Sequence, residues 1–158
     1  MESDANSNPA IVEEPGPSRG VDSVDNMSVS QGIPHGIRVQ DLWFEDGGVV
    51  VQAESCLYRV SRGILAARSS IFKGVFHSCA ASTTGEGLEM MDGVPFLRLP
   101  DAERDVTHFF KAIFDSSYFA PYPGKTSFSI VASVLRLSHK YNVNFLQKRA
   151  LRLAQWLS

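Results

Sequence analysis

The 158-residue sequence predicts an α+β domain, a small three-stranded sheet flanked by a cluster of about five helices. Three observations carry that expectation. Short β-branched or alternating runs lie between residues 42 and 60, separated by turn chemistry. Two brief helical phrases stand back to back across Val60–Phe76. Three longer stretches with apolar residues at helical spacing follow after residue 100. The expected order is strand, strand, helix pair, strand, helix, helix pair, with the helices segregated against a small sheet.

The first 36 residues stand apart. They are rich in Ser, Asn, Gly, Pro and acid and contain no aromatic residue, so they bury too little apolar surface to offset the entropy of ordering. A disordered acidic tail is expected over 1–36 and a folded domain over 37–158. Charge divides the same way. Up to Gln40 six acids oppose two bases, a net of −4, whereas the remainder has thirteen bases against eleven acids, a net of +2.

From Ile37 the pattern changes. Leu42-Trp43-Phe44 is an apolar burst, Glu45-Asp46-Gly47-Gly48 is turn chemistry, and Val49-Val50-Val51 is a β-branched run. After a second turn at Ala53-Glu54-Ser55, Cys56, Tyr58 and Val60 alternate with Leu57 and Arg59, which suits a strand with one buried face. Ser61 caps the first helical phrase, with Ile64 and Leu65 on its apolar edge. Ser69 or Ser70 caps the second, on which Ile71, Phe72, Val75 and Phe76 recur. Neither phrase is long enough to be stable alone, so both must dock.

His77–Val94 reads as a long polar loop, and Pro95–Leu99 as the third strand. Asp101 is the expected N-cap of the next helix, whose stripe is Val106, Phe109, Phe110, Ile113 and Phe114. After an irregular segment over 115–127, a helix carries Ile130, Val131, Val134, Leu135 and Leu137. Asn144 is the expected cap of a last helix with Leu146, Ala150, Leu153 and Leu157 aligned.

Composition excludes several function classes. The amino terminus has no apolar segment of the secretory kind, and no run approaches the ~18 apolar residues of a membrane helix. Two cysteines, Cys56 and Cys79, suit neither a disulfide framework nor a Cys-x-x-Cys zinc site and fit a reducing compartment. The four histidines are scattered, with no carboxylate or cysteine at ligand spacing. No phosphate loop, dinucleotide fingerprint or nucleophile elbow occurs. A non-enzymatic intracellular protein without cofactor or metal, cytoplasmic or nuclear, is expected.

Certain residues resemble a known family. Phe44-Glu45-Asp46-Gly47, the run from Tyr58 through Ser61-Arg62-Gly63-Ile64-Leu65 to Ile71-Phe72, Leu99-Pro100-Asp101, Val106–Asp115 and Leu135–Tyr141 together resemble the BTB (POZ) domain, particularly its fungal form. The resemblance spans Asp41 to about Ser158. It implies a protein-interaction module acting by homodimerisation or heterotypic docking. Where the family usually has histidine this chain has Ser61, which keeps the cap and gives up the ring.

The resemblance maps the family's charged pocket onto Asp41 and Arg62. One reading makes these two a binding feature, the other an ion pair orienting sheet against helices. The candidate dimer surface on the first helix pair is Ile64, Leu65 and Arg68. The aromatic loop after the third helix offers Tyr118, Phe119 and Tyr122 as a candidate partner loop, since rigid aromatics anchor interfaces.

The alternative function is a substrate adaptor of a cullin-based ubiquitin ligase. Family members that bind the cullin scaffold often carry a hydrophobic-x-glutamate in that loop and continue into further helices. Here Phe119-Ala120-Pro121 lacks the glutamate and the chain stops at Ser158.

From Arg136 onward the chain has five bases and no acid, read either as a solvated helix face or as a docking surface for an acidic partner. Nucleic-acid or membrane binding is not expected, because the nearby apolar residues read as buried.

Overall fold

The computed structural model describes residues 35–81 and 89–158. The disorder expected for the N-terminal segment falls almost wholly outside them, as does residues 82–88 of the expected long loop.

Ten elements follow in chain order: β1 (Ile37–Trp43), β2 (Val49–Ala53), β3 (Cys56–Val60), α1 (Arg62–Arg68), α2 (Ser70–Ala81), β4 (Glu89–Met91), β5 (Val94–Leu99), α3 (Glu103–Phe114), α4 (Phe128–Lys140) and α5 (Asn144–Leu157). The fold is α+β, with five strands and five helices among the described residues. The sheet order is β1-β3-β2-β5-β4, so the expected three-stranded sheet is widened at both edges. β2 and β3 form an antiparallel hairpin, with Val51 opposite Tyr58. β1 runs parallel to β3, with its register shifting between Arg38 and Trp43. β5 runs parallel to β2, and β4 closes the far edge antiparallel to β5.

The β4–β5 turn replaces part of the expected loop. Asp92 and Gly93 both take positive φ, 52° and 82°, as a tight two-residue hairpin with right-handed twist demands. Asp-Gly between Met91 and Val94 is that turn's sequence signature. The helix before it also extends further than the apolar stripe implied, to Ala81.

The sheet buries residues on both faces. On the helical side Val49, Val51, Tyr58 and Val60 join Leu65, Phe72, Phe109, Phe110, Val134, Leu137, Leu146 and Ala150 in one core. On the other, Val50, Leu57 and Phe96 form a second buried cluster edged by Trp43, Met91 and Val94. The expectation of one buried face for β3 therefore fails at Leu57. A neighbour on either side, β1 and β2, brings apolar residues onto both faces of this central strand.

Two polar junctions hold the layers. Ser69 is 1% exposed and joins the helix pair to the rest of the domain. Its amide donates to the Leu65 carbonyl at 2.9 Å, closing α1. Its hydroxyl accepts from the Phe72 amide at 3.1 Å, capping α2, and donates to the Tyr141 carbonyl at 2.6 Å. Tyr141, just past α4, stacks on Phe72 with centroids 4.7 Å apart and packs on Phe109 at 5.9 Å. Its hydroxyl donates to Asp101.

The second junction ties the β2–β3 turn to α3. The expected Asp101 cap is not used. Ala102 occupies the cap position and makes no side-chain hydrogen bond. The Glu103 amide donates instead to Glu54 Oε2 at 2.9 Å, while Glu103 Oε2 accepts from the Ser55 amide and hydroxyl at 3.1 and 2.6 Å. Asp101 is drawn off to Lys140 and Tyr141. The last helix likewise lacks its expected cap, because it begins at Asn144, behind an apolar Val143.

Ser69→Ala removes a cap and leaves the Tyr141 carbonyl without its hydroxyl donor, so urea unfolding should show a loss of about 2–3 kcal/mol. The exposed neighbour Ser70→Ala should cost less than about 0.5 kcal/mol. Equal losses at the two positions would contradict the junction.

The Ser55 hydroxyl and amide hold the Glu103 carboxyl below its ordinary value of 4.5. The fold therefore binds this proton less readily than the unfolded chain does. The stabilisation is full above 4.5 and is lost as pH falls through the lowered folded value. Glu103→Gln should make the acid-side decline of stability shallower, as read from unfolding midpoints across pH.

Candidate functional site

The helix pair presents one face outward. Ser61 caps α1 as expected, its hydroxyl accepting from the Ile64 amide at 3.2 Å. That cap sets the phase of the short helix and turns Leu65 into the core and Ile64 out of it. Ile64 is 44% exposed and Ile71, at the start of α2, 45%. The same helix pair carries an open, mostly apolar depression of about 440 Å³, lined by Arg62, Ala66, Lys73, Phe76, His77 and Ala80, with neither isoleucine in its lining. Neither α1 nor α2 contains an acid.

Of the residues expected on this surface, Ile64 lies on it. Leu65 does not, being fully buried in the core, where an apolar side chain one position past Ile64 turns inward. Arg68 is exposed, but its guanidinium lies 5.1 Å from the Phe145 ring and so is turned toward α5.

The expected Asp41–Arg62 pair does not form. Asp41 is exposed and its carboxylate faces Lys111 of α3 at 3.5 Å. Arg62 instead lies over Phe76, 5.1 Å from the ring centroid. It thereby ends a row of aromatic rings that runs from Phe109 through Tyr141 and Phe72 to Phe76. Arginine's weakly hydrated planar cation suits a ring face. The row itself was not legible from spacing, because Tyr141 comes from a different part of the chain.

The aromatic loop is divided. Phe119 is fully buried and cannot anchor a partner; its carbonyl accepts from Arg149 Nη1 at 2.9 Å. Tyr118 is half-buried, its hydroxyl 2.6 Å from His108 Nδ1. Burial raises the Tyr118 pKa and lowers that of His108, with Arg104 and Lys111 adding to the second shift. Tyr122 is exposed and stacks on Trp156 of α5 at 4.4 Å. Trp156 was missed in the sequence because it lies outside the helix's apolar stripe. Its position four residues after Arg152 was the available signal.

The cations of α4 are used internally. Arg136 pairs with Asp105 and Lys140 with Asp101, both acids lying at the start of α3. Burial pushes the Asp105 carboxyl up, but the Ser133 hydroxyl and Arg136 outweigh it and hold it below its ordinary 3.8. Among the described residues no three His, Cys, Asp or Glu side chains are grouped to hold a metal ion, and no helix is long and apolar enough to cross a membrane.

No family model matches the sequence, and no curated protein matches it. Among solved structures 59 chains match. One is the BTB domain of zebrafish PATZ1, similar to this chain with a TM-score of 0.52 and 8% sequence identity, covering 89% of this chain and 99% of that one. The likeness shows a BTB-like fold.

An exposed ion pair is worth roughly 0–1 kcal/mol. Asp41→Ala is therefore expected to shift the unfolding free energy by less than about 0.5 kcal/mol. A loss above about 3 kcal/mol, the size seen when a buried pair is broken, would restore Asp41 to a structural pocket.

Proposed function

We propose that residues 37–158 form a protein-interaction module of the fungal BTB type behind an acidic N-terminal segment, working by surface complementarity without catalysis. Its docking face is the α1–α2 pair, and its mode is homodimerisation. The observation that carries this reading is the pair of half-exposed isoleucines, Ile64 and Ile71, on a helix pair that also bears a mostly apolar depression. Exposed apolar side chains and an apolar depression on one short helix pair favour an interaction surface there. A two-fold symmetric contact uses the same patch twice, so a self-complementary apolar face is sufficient.

The charge on the face gives this dimer a signature. Arg62 and Lys73 of both copies would approach each other across the two-fold axis, with no acid on either helix to offset them. Salt screens that repulsion and tightens the dimer, whereas docking of an acidic partner on the same face would weaken with salt. The adaptor alternative draws no support from the loop. Phe119, the hydrophobe where the cullin-binding motif would be sought, is inside the core, and the motif's glutamate is absent.

Light scattering across a concentration series should show a dimer whose population rises with salt, and Ile64→Glu should shift it to monomer without changing the circular dichroism spectrum. A monomer at every concentration and salt would sink homodimerisation. Capture of a purified cullin scaffold at micromolar protein would instead support the adaptor.

A further inference from the structure

A second surface lies along α5. Tyr122, Phe145, Lys148, Arg149, Arg152 and Trp156 line a groove of about 450 Å³ between the 121–122 loop and α5. That volume is within the range of sites that take a few side chains of a ligand. We propose that this groove binds an acidic peptide segment of a partner protein, one that carries an aromatic or leucine side chain among its carboxylates. Its lining residues are distinct from those of the α1–α2 depression, and its occupancy does not require the dimer.

Charge is the first argument. From Ser116 to Ser158 the chain has no Asp or Glu and six Lys or Arg. Three of those six line the groove. Arg136 and Lys140 outside it are matched by Asp105 and Asp101, whereas Lys148 and Arg152 have no ion-pair partner among the described residues. Arg68 adds a fourth cation, lying over the same Phe145 ring that Arg149 approaches at 5.8 Å.

The helix dipole does not account for this cluster. Cations are favoured at a helix's carboxyl end, and α4 obeys with His139 and Lys140 in its last turn. α5 has no basic residue in its last turn. Its cations stand at 148, 149 and 152 of a helix spanning Asn144–Leu157, in mid-helix and outside the terminal turn where the dipole would favour them. A carboxylate arriving there would offset their mutual repulsion.

Pre-organisation is the second argument. Arg149 is fixed by its bond to the Phe119 carbonyl and its place beside Phe145. Trp156 is 66% exposed, yet it is held against Tyr122 at an interplanar angle of 10°. A rigid aromatic wall beside cations offers an apolar side chain and its neighbouring carboxylates complementary contacts at low ordering cost. A nucleic acid fits less well. Its affinity comes from many phosphate contacts along an extended strand, and the chain as a whole carries a net charge of −2.

The test is fluorescence anisotropy of a labelled decapeptide with glutamates around a central leucine-tyrosine pair, titrated with the full chain. Saturable binding is expected, weakening with salt. Lys148→Glu with Arg152→Glu should reduce affinity about tenfold or more. Trp156→Ala should reduce it similarly while leaving the unfolding midpoint unchanged, since the ring is outside the core. A glutamine-for-glutamate peptide should not bind.

Four results would overturn the proposal. One is no saturable binding. Another is equal binding by the charge-reversed variant. A third is tighter binding of an oligothymidylate that the same variants abolish. The fourth is self-occupancy, seen as a gain in peptide affinity when Glu2, Asp4, Glu13, Glu14, Asp22 and Asp25 are replaced by their amides. Loss of the dimer in light scattering leaves the peptide result unaffected, so the two readings fail separately.

Discussion

Ser69 stands where α1 ends and α2 begins, and its single hydroxyl both caps the second helix and grips the carbonyl of Tyr141. Helices of seven and twelve residues are marginal in water, so their existence depends on docking. The serine supplies the polar half of that docking in a place where burial makes an unmet hydrogen bond expensive. Tyr141 supplies the apolar half by stacking on Phe72 and Phe109. The junction thus fixes where α1 stops and α2 starts, while the Ser61 cap sets the phase that turns Ile64 outward.

The β2–β3 turn and α3 are joined by an exchange of the same economy. Glu54 caps the helix amide of Glu103 while Glu103 closes on Ser55, so each carboxylate satisfies donors on the opposite element. Local capping boxes perform this service within one helix terminus; here it crosses from sheet to helix. Glu54 holds φ at 51°, a conformation any L-residue other than Asn or Asp adopts reluctantly. The turn is therefore set by the contact as much as by its own residues.

Charge is sorted along the chain. Asp101 and Asp105, at the start of α3, neutralise the cations of α4, and after Asp115 no acid follows. The consequence is a domain whose cation-rich end, at α5, is separate from the face with the half-exposed isoleucines. Two surfaces of different chemistry follow, one apolar with a cationic border and one cationic with an aromatic wall.

Periodicity alone determined the α+β class, the hairpin of β2 and β3, the helix pair and the stripes of α3, α4 and α5, because each is a repeat within a short window. It located the Ser61 cap for the same reason. The Asp92-Gly93 turn was legible too, though hidden inside a polar stretch. What tertiary structure decided was everything that depends on a second segment. It withdrew Asp101 from its cap to serve Lys140 and Tyr141, set Arg62 over Phe76 in place of Asp41, and buried Leu65 and Phe119. It also left Trp156 outside, stacked on Tyr122 beside cations from α5. A side chain's neighbours across the fold fix its partner and exposure, and spacing along the chain carries no record of which distant segment will arrive.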